Sequence, residues 1–144
     1  MRIWLDMDGT IANLYGVENW LEQLINGNPR PYEIAKPLVK MNALARILNN
    51  RQKKGYKICI ITALAKGSTP EYDLKVKNAK LKWLRKHLPS VNFDKIEFVP
   101  YEFIKNNVNN GNDILVDDEE RHLQAWTGTA INAKNIMIEL KALA

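Results

Sequence analysis

Apolar positions along this chain alternate between two rhythms. The first is a set of short unbroken runs: Arg2–Asp6 around Ile3, Trp4 and Leu5, then Tyr56–Thr62, then Lys95–Val99 closed by Pro100. Asp113–Asp117 (Asp-Ile-Leu-Val-Asp) is the fourth, and a weaker fifth lies at Thr129–Asn132. Runs without polar alternation predict strands of a parallel sheet buried on both faces. The second rhythm has helical spacing. Leu38–Lys54 sets Leu38, Met41, Leu44, Ala45 and Leu48 on one stripe and stops at Gly55. Asp73–Leu88 predicts a second long helix, ended by Pro89, and shorter helices are expected after Glu119 and from Asn135. Strand–helix alternation of this kind predicts an α/β fold, a parallel sheet covered by helices on both faces.

One stretch breaks the alternation. Asn13–Pro37 holds a short amphipathic segment (Val17, Trp20, Leu21, Leu24, Ile25) and then the turn cluster Gly27-Asn-Pro-Arg-Pro31. A small helical insertion after the first strand accounts for it. No repeat, low-complexity tract or linker divides the chain, so its 144 residues are expected to form one domain.

Composition changes this picture little. With 46% hydrophobic and 26% charged residues, the chain falls in the soluble globular class. No apolar run reaches the roughly 18–20 residues that cross a membrane. The first strand starts at residue 2 and leaves no room for a signal peptide, so a cytosolic location is expected. The single cysteine, Cys59, sits within an apolar run and reads as a small buried hydrophobe. A net charge of +5 admits an anionic partner, either a phosphate ester or nucleic acid. Much of the excess lies between Lys75 and Lys86, where a solvated helix face explains it, so nucleic acid is not favoured on this ground.

The chemistry gathers at strand ends. In open α/β sheets ligands bind beyond the carboxyl ends of the strands. Asp6 ends the first run and Asp8 follows two residues later, ahead of Gly9 and Thr10. Carboxylates this close repel unless they share a proton or a cation. Thr62 ends the second strand, where its hydroxyl and the backbone N–H of Ala63 are placed to hold an anion. Asp117 and Asp118 end the fourth; ahead of Glu119 and Glu120 they also fit a helix N-cap, and the two roles are compatible.

Lys80 lies on the helix after the second strand. With Val76 at zero and 100° per residue, Lys80 comes out at about 40°, inside the apolar stripe. Lys77, at about 100°, is the reserve. A stem packed on apolar neighbours with its head snorkelling to water fits the same pattern. His87 and His122 have no ligand spacing and read as surface or helix-face residues, while Trp4, Trp83 and Trp126 read as core.

Asp6-Met-Asp-Gly-Thr10, Thr62, Lys80 and Asp117-Asp118, in that order and on those elements, resemble the four motifs of the haloacid dehalogenase superfamily of phosphotransferases. The resemblance runs from residue 2 to about residue 126. Within the superfamily the chain looks most like the 5′(3′)-deoxyribonucleotidases and their phage and bacterial relatives, through Asp6–Ala12, Ile61-Thr-Ala63, Lys80–Leu84 and Ile114–Asp118. The resemblance implies a three-layer α/β/α, Rossmann-like fold with strand order 3-2-1-4-5 and a small helical cap at about residues 13–37. It implies a Mg²⁺-dependent phosphomonoesterase, most like a 5′-nucleotidase acting on deoxynucleotides. Asp6 would be the nucleophile and Asp8 the general acid–base. Thr62, Ala63 and Lys80 would hold the phosphoryl group. Asp6, Asp8 and Asp118 would hold the metal, with Asp117 in support.

The chain departs from that group in one place. Where the group carries an acidic residue and then a base-stacking aromatic, this chain has Asn13 and Leu14, with Tyr15 next. Tyr15, Trp20 or Tyr32 could supply the stacking face, or could simply pack the insertion. A small cap would leave the catalytic edge open, which also suits nucleic-acid ends or assorted small phosphate esters. Readings from other classes are a phospho-accepting receiver-like module and a silent binding protein. A receiver places its phosphorylated aspartate on a middle strand, without Asp-x-Asp-Gly-Thr on the first.

Overall fold

A computed structural model describes residues 1–144. In chain order its elements are β1 (Arg2–Leu5), β2 (Ala12–Asn13), α1 (Trp20–Ile25), α2 (Arg30–Ile34), β3 (Lys36–Pro37), α3 (Met41–Lys53) and β4 (Lys57–Ala63). There follow α4 (Pro70–His87), β5 (Lys95–Val99), β6 (Ile114–Asp117), α5 (Glu120–Ala125), β7 (Thr129–Asn132) and α6 (Ile136–Ala142). Short 3₁₀ turns occupy Leu14–Gly16, Lys105–Val108 and Ala133–Asn135.

Five strands form one parallel sheet in the order β5-β4-β1-β6-β7, which is the order 3-2-1-4-5 among the five expected from sequence. The chain moves outward from β1 through β4 to β5, then crosses back to β6 and β7. Right-handed crossovers therefore put the connections of the two halves on opposite faces. Ile3, Leu5, Ile58, Ile60, Ile114 and Val116 pack one face against Leu44 and Leu48 of α3, Trp83 and Leu84 of α4, and Leu140 of α6. The alternate residues Trp4, Cys59, Ile61 and Leu115 face the other way, against Trp126, Phe103 and Val108. Each large apolar side chain buried in this way contributes about 1.5–3 kcal/mol. The second face is thinly covered: α5 has six residues, and much of the cover is the irregular segment between β5 and β6.

Two helix starts differ from expectation. Leu38 lies in the bend after β3, where its N–H bonds Ile11 O, so α3 begins only at Met41. The second long helix starts three residues early, at Pro70, because Thr69 caps it by accepting from Tyr72 N and proline is tolerated in the first turn. Asp113, just before β6, accepts from the backbone N–H and Nε of Arg2 and from Trp4 Nε1, and pairs with the Arg2 guanidinium, tying the entry of β6 to β1. No helix is long and apolar enough to cross a membrane.

Residues 13–37 contain α1 and α2, and the antiparallel pair β2–β3 joins the two ends of this excursion. Tyr32 of α2 packs with Leu14, Tyr72, Val76 and Ala79, fastening the excursion to the first half of α4. Tyr72 adds a hydrogen bond from its hydroxyl to Asn28 O at 3.0 Å.

Candidate active site

The direction of the chain reverses across β1 and β6, and the crevice beyond their carboxyl ends is where an open α/β sheet binds ligands. Asp6 stands at that point, its N–H still bonded to Val116 O at 3.0 Å. The loop then folds over one carbonyl: Met7 O accepts from the N–H groups of Thr10, Ile11 and Ala12 at 3.0–3.1 Å. Gly9 makes the turn at φ +82°, and a Cβ there would lie 2.2 Å from Asp118 Oδ2. Glycine thus serves twice, for its backbone angle and to leave Asp118 its place.

Asp6, Asp117 and Asp118 each offer an oxygen, all within 4.8 Å of one another. Thr10 Oγ1 lies 3.0 Å from Asp6 Oδ2 and 3.3 Å from Asp118 Oδ1. Asp117 is fully buried and both its oxygens are engaged: Oδ1 accepts from Glu119 N at 3.0 Å and Oδ2 from Lys105 Nζ at 2.7 Å. Asp118 points its Oδ2 toward the Gly9 turn.

Two buried lysines answer this negative charge. Lys80, 1% exposed, donates to Asp8 Oδ2 at 2.9 Å, Thr62 Oγ1 at 2.6 Å and Ala63 O at 2.8 Å. The structure therefore brings Asp6, Asp8, Thr62, Ala63, Lys80, Asp117 and Asp118 to one edge. Lys80 is the inward lysine, whereas Lys77 sits 5.9 Å above the Phe98 ring. Ala63 meets Lys80 through its carbonyl rather than through its N–H.

The second lysine, Lys105, was not anticipated. It is 3% exposed and reaches from the 3₁₀ turn to Asp6 Oδ1 at 2.8 Å as well as to Asp117. The segment carrying it has no periodicity to read. Its only sequence trace is a lysine following the apolar pair Phe103-Ile104, twelve residues before Asp117.

The environment separates the carboxylates chemically. Burial opposes the ionised form of Asp6, but the charge and hydrogen bond of Lys105 outweigh it and hold Asp6 below its ordinary range. Burial raises Asp8, with the charge of Asp6 adding and that of Lys80 opposing. Burial and the charge of Asp6 lift Asp117 to about 6 and Asp118 to about 8. A carboxyl pushed that far by a like charge is one that a cation would return to the ionised state.

Above the carboxylates opens a cavity of about 550 Å³. The residue 13–37 excursion supplies one wall through Leu14, Tyr15, Trp20, Leu21, Leu24 and Tyr32, and the loop after β4 supplies another through Leu64 and Ala65. Tyr15 and Trp20 meet edge to face with ring centres 5.0 Å apart, and Tyr32 lies 4.8 Å beneath Lys80 Nζ. All three aromatic candidates therefore face the cavity. His122 also lines it, at 2% exposure; of the surface or helix-face roles that spacing suggested, it takes an inward helix-face position on α5. His87 packs on Trp83 away from the site, and Trp4, Trp83 and Trp126 are buried in the core as expected.

No family profile matches the sequence, and no curated protein matches it. Among solved structures, it is similar to the D,D-heptose 1,7-bisphosphate phosphatase from Burkholderia thailandensis, at 12% identity and a TM-score of 0.56 over 99% of each chain. That likeness, spanning essentially both whole chains, shows that this chain has the α/β fold of that phosphatase.

Proposed function

We propose that this chain is a Mg²⁺-dependent phosphomonoester hydrolase of the haloacid dehalogenase type, working through an aspartyl-phosphate on Asp6. One observation carries the reading: three carboxylates converge within 4.8 Å beside Asp8 and two buried lysines at the sheet's reversal point. In this scheme Asp6, kept ionised by Lys105, attacks phosphorus while the ester P–O bond breaks. Asp8, whose raised pKa favours its protonated form, gives its proton to the departing alkoxide. Asp8 then takes a proton from a water that attacks the same phosphorus, releasing inorganic phosphate and restoring Asp6. Opposite shifts on two neighbouring carboxyls suit this division of labour.

The donor set fits Mg²⁺, a hard ion that prefers carboxylate and carbonyl oxygens. Asp6 and Asp118 would hold it, with the backbone carbonyl of Asp8. Asp117, with both oxygens engaged, would support from behind. When bound, the ion would offset charge between the phosphoryl group and Asp6. Lys80 and Thr62 would face the phosphoryl oxygens, which requires Lys80 to share a proton now given to Thr62 or Ala63.

For the substrate we favour a nucleoside 5′-monophosphate, with deoxynucleotides preferred. The wall from the residue 13–37 excursion is chiefly leucine and aromatic, with Tyr15, Trp20 and Tyr32 positioned to meet a planar base, while Lys66, Ser68 and Thr69 add polar groups on the β4 side. We place the enzyme in the cytosol, where the lone buried thiol of Cys59 would stay reduced. A phosphatase screen across deoxy- and ribonucleotides, sugar phosphates and 3′- or 5′-phosphorylated oligonucleotides tests the assignment. Turnover highest on deoxynucleoside 5′-monophosphates is expected. A clear preference for oligonucleotide ends or sugar phosphates would contradict the substrate, and no turnover of any ester would contradict the enzyme.

A further inference from the structure

His122 is a buried polar group for which the fold provides no partner. It sits on α5, the short helix that follows the Asp117-Asp118 pair, and its side chain lines the cavity although only 2% of the residue is exposed. Its Nδ1 has no hydrogen-bond partner. Its Nε2 faces Glu119 Oε2 across 3.9 Å, beyond hydrogen-bonding reach, and that carboxylate is already engaged by Arg121 Nε at 2.7 Å. Buried polar groups in native proteins almost always have partners, and each exception asks for an explanation. A histidine kept only for packing would be replaceable by leucine, which strands no ring nitrogen. Burial, aided by the charges of Lys105 and Arg121, also keeps the imidazole neutral, so it can donate from one nitrogen and accept at the other.

We propose that His122, with Glu119 beside it, is the specificity-determining polar contact of the leaving-group pocket, and that it hydrogen-bonds a hydroxyl on the alcohol released by hydrolysis. The leucine and aromatic wall from residues 13–37 explains why such a contact would matter. Leucine and aromatic side chains bind an apolar or planar group without fixing its register, whereas one buried donor–acceptor does fix it. A site built to bond a hydroxyl also rejects analogues that lack it, because its own polar atoms are then left unpaired. The proposal rests on the phosphatase reading above and deepens it. His122 touches no reacting atom in this scheme. It acts on which ester is held and how well, and the chemistry at phosphorus stays with Asp6 and Asp8.

The test compares two esters, deoxyuridine 5′-monophosphate, whose leaving group carries a free hydroxyl, and 4-nitrophenyl phosphate, whose leaving group has none. In His122→Leu, kcat/KM for the nucleotide is expected to fall about 10- to 100-fold, chiefly through KM, while 4-nitrophenyl phosphate stays within about twofold. His122→Gln, which keeps a donor and an acceptor, is expected to recover most of the loss. Equal losses on both esters, or no loss on either, would overturn the proposal and leave the phosphatase reading intact. Failure of the wild type to hydrolyse either ester would remove that reading and the proposal with it. A second measurement needs no variant that folds: nitrogen-resolved NMR of the wild-type imidazole. Saturating deoxyuridine 5′-monophosphate is expected to shift a ring nitrogen of His122. Saturation without any such shift would contradict the contact.

Discussion

The ammonium of Lys105 lies 2.8 Å from Asp6 Oδ1 at a point where both side chains are almost wholly buried. The same ammonium contacts Asp117 at 2.7 Å, so one cation serves two carboxylates from different strand ends. Removing one member of a buried ion pair strands the other, which typically costs about 3–5 kcal/mol. Lys105→Met is therefore expected to destabilise the fold by that order in urea denaturation. Turnover should fall by more than about 100-fold, because Asp6 loses the charge that keeps it ionised. Near-normal stability together with near-normal turnover would show that the pair is incidental.

Gly9 allows a sharper substitution. A methyl group there would sit 2.2 Å from Asp118 Oδ2, and the backbone is at φ +82°, where an L-residue costs about 1–2 kcal/mol. Gly9→Ala should push Asp118 out of the carboxylate cluster. We expect the Mg²⁺ concentration for half-maximal activity to rise about tenfold or more, with only a modest loss in melting temperature. An unchanged Mg²⁺ requirement would mean that Asp118 is not a ligand.

The raised pKa of Asp118 predicts a pH dependence with a definite sign. Without metal, its folded value of about 8 exceeds the ordinary carboxyl value of 3.8, so the folded state binds more protons than the unfolded between those limits. The stabilising contribution is complete below about pH 4 and is lost as pH rises through about 8. In EDTA, wild-type stability relative to Asp118→Asn should therefore decline over that range. Mg²⁺ competes with the proton for the same oxygens, so its affinity should climb with pH across the same interval. Parallel stability curves for the two proteins in EDTA would contradict the assignment.

Where the chain is periodic, the sequence was informative. The five strands of the sheet were legible because each is a short apolar run between turn residues, and Lys80 because helical spacing put it among apolar neighbours. That Asp6, Asp8, Thr62, Asp117 and Asp118 would meet at one edge was legible because each ends or closely follows a strand. Lys105 was not, since the segment between β5 and β6 has no repeating pattern and its burial depends on packing over the far face of the sheet. That His122 faces inward was not legible for a related reason: a six-residue helix is too short for its periodicity to show which side packs against the sheet.

In the proposed reaction Asp6 carries the phosphoryl group, a step that a trapped phosphoryl mimic reports on. The structure of the protein soaked with beryllium fluoride and Mg²⁺ should show beryllium bonded to an oxygen of Asp6, with Mg²⁺ between Asp6 and Asp118. Asp6→Asn should neither bind the mimic nor turn over substrate. Beryllium on a different carboxylate, or appreciable hydrolysis by Asp6→Asn, would contradict the account.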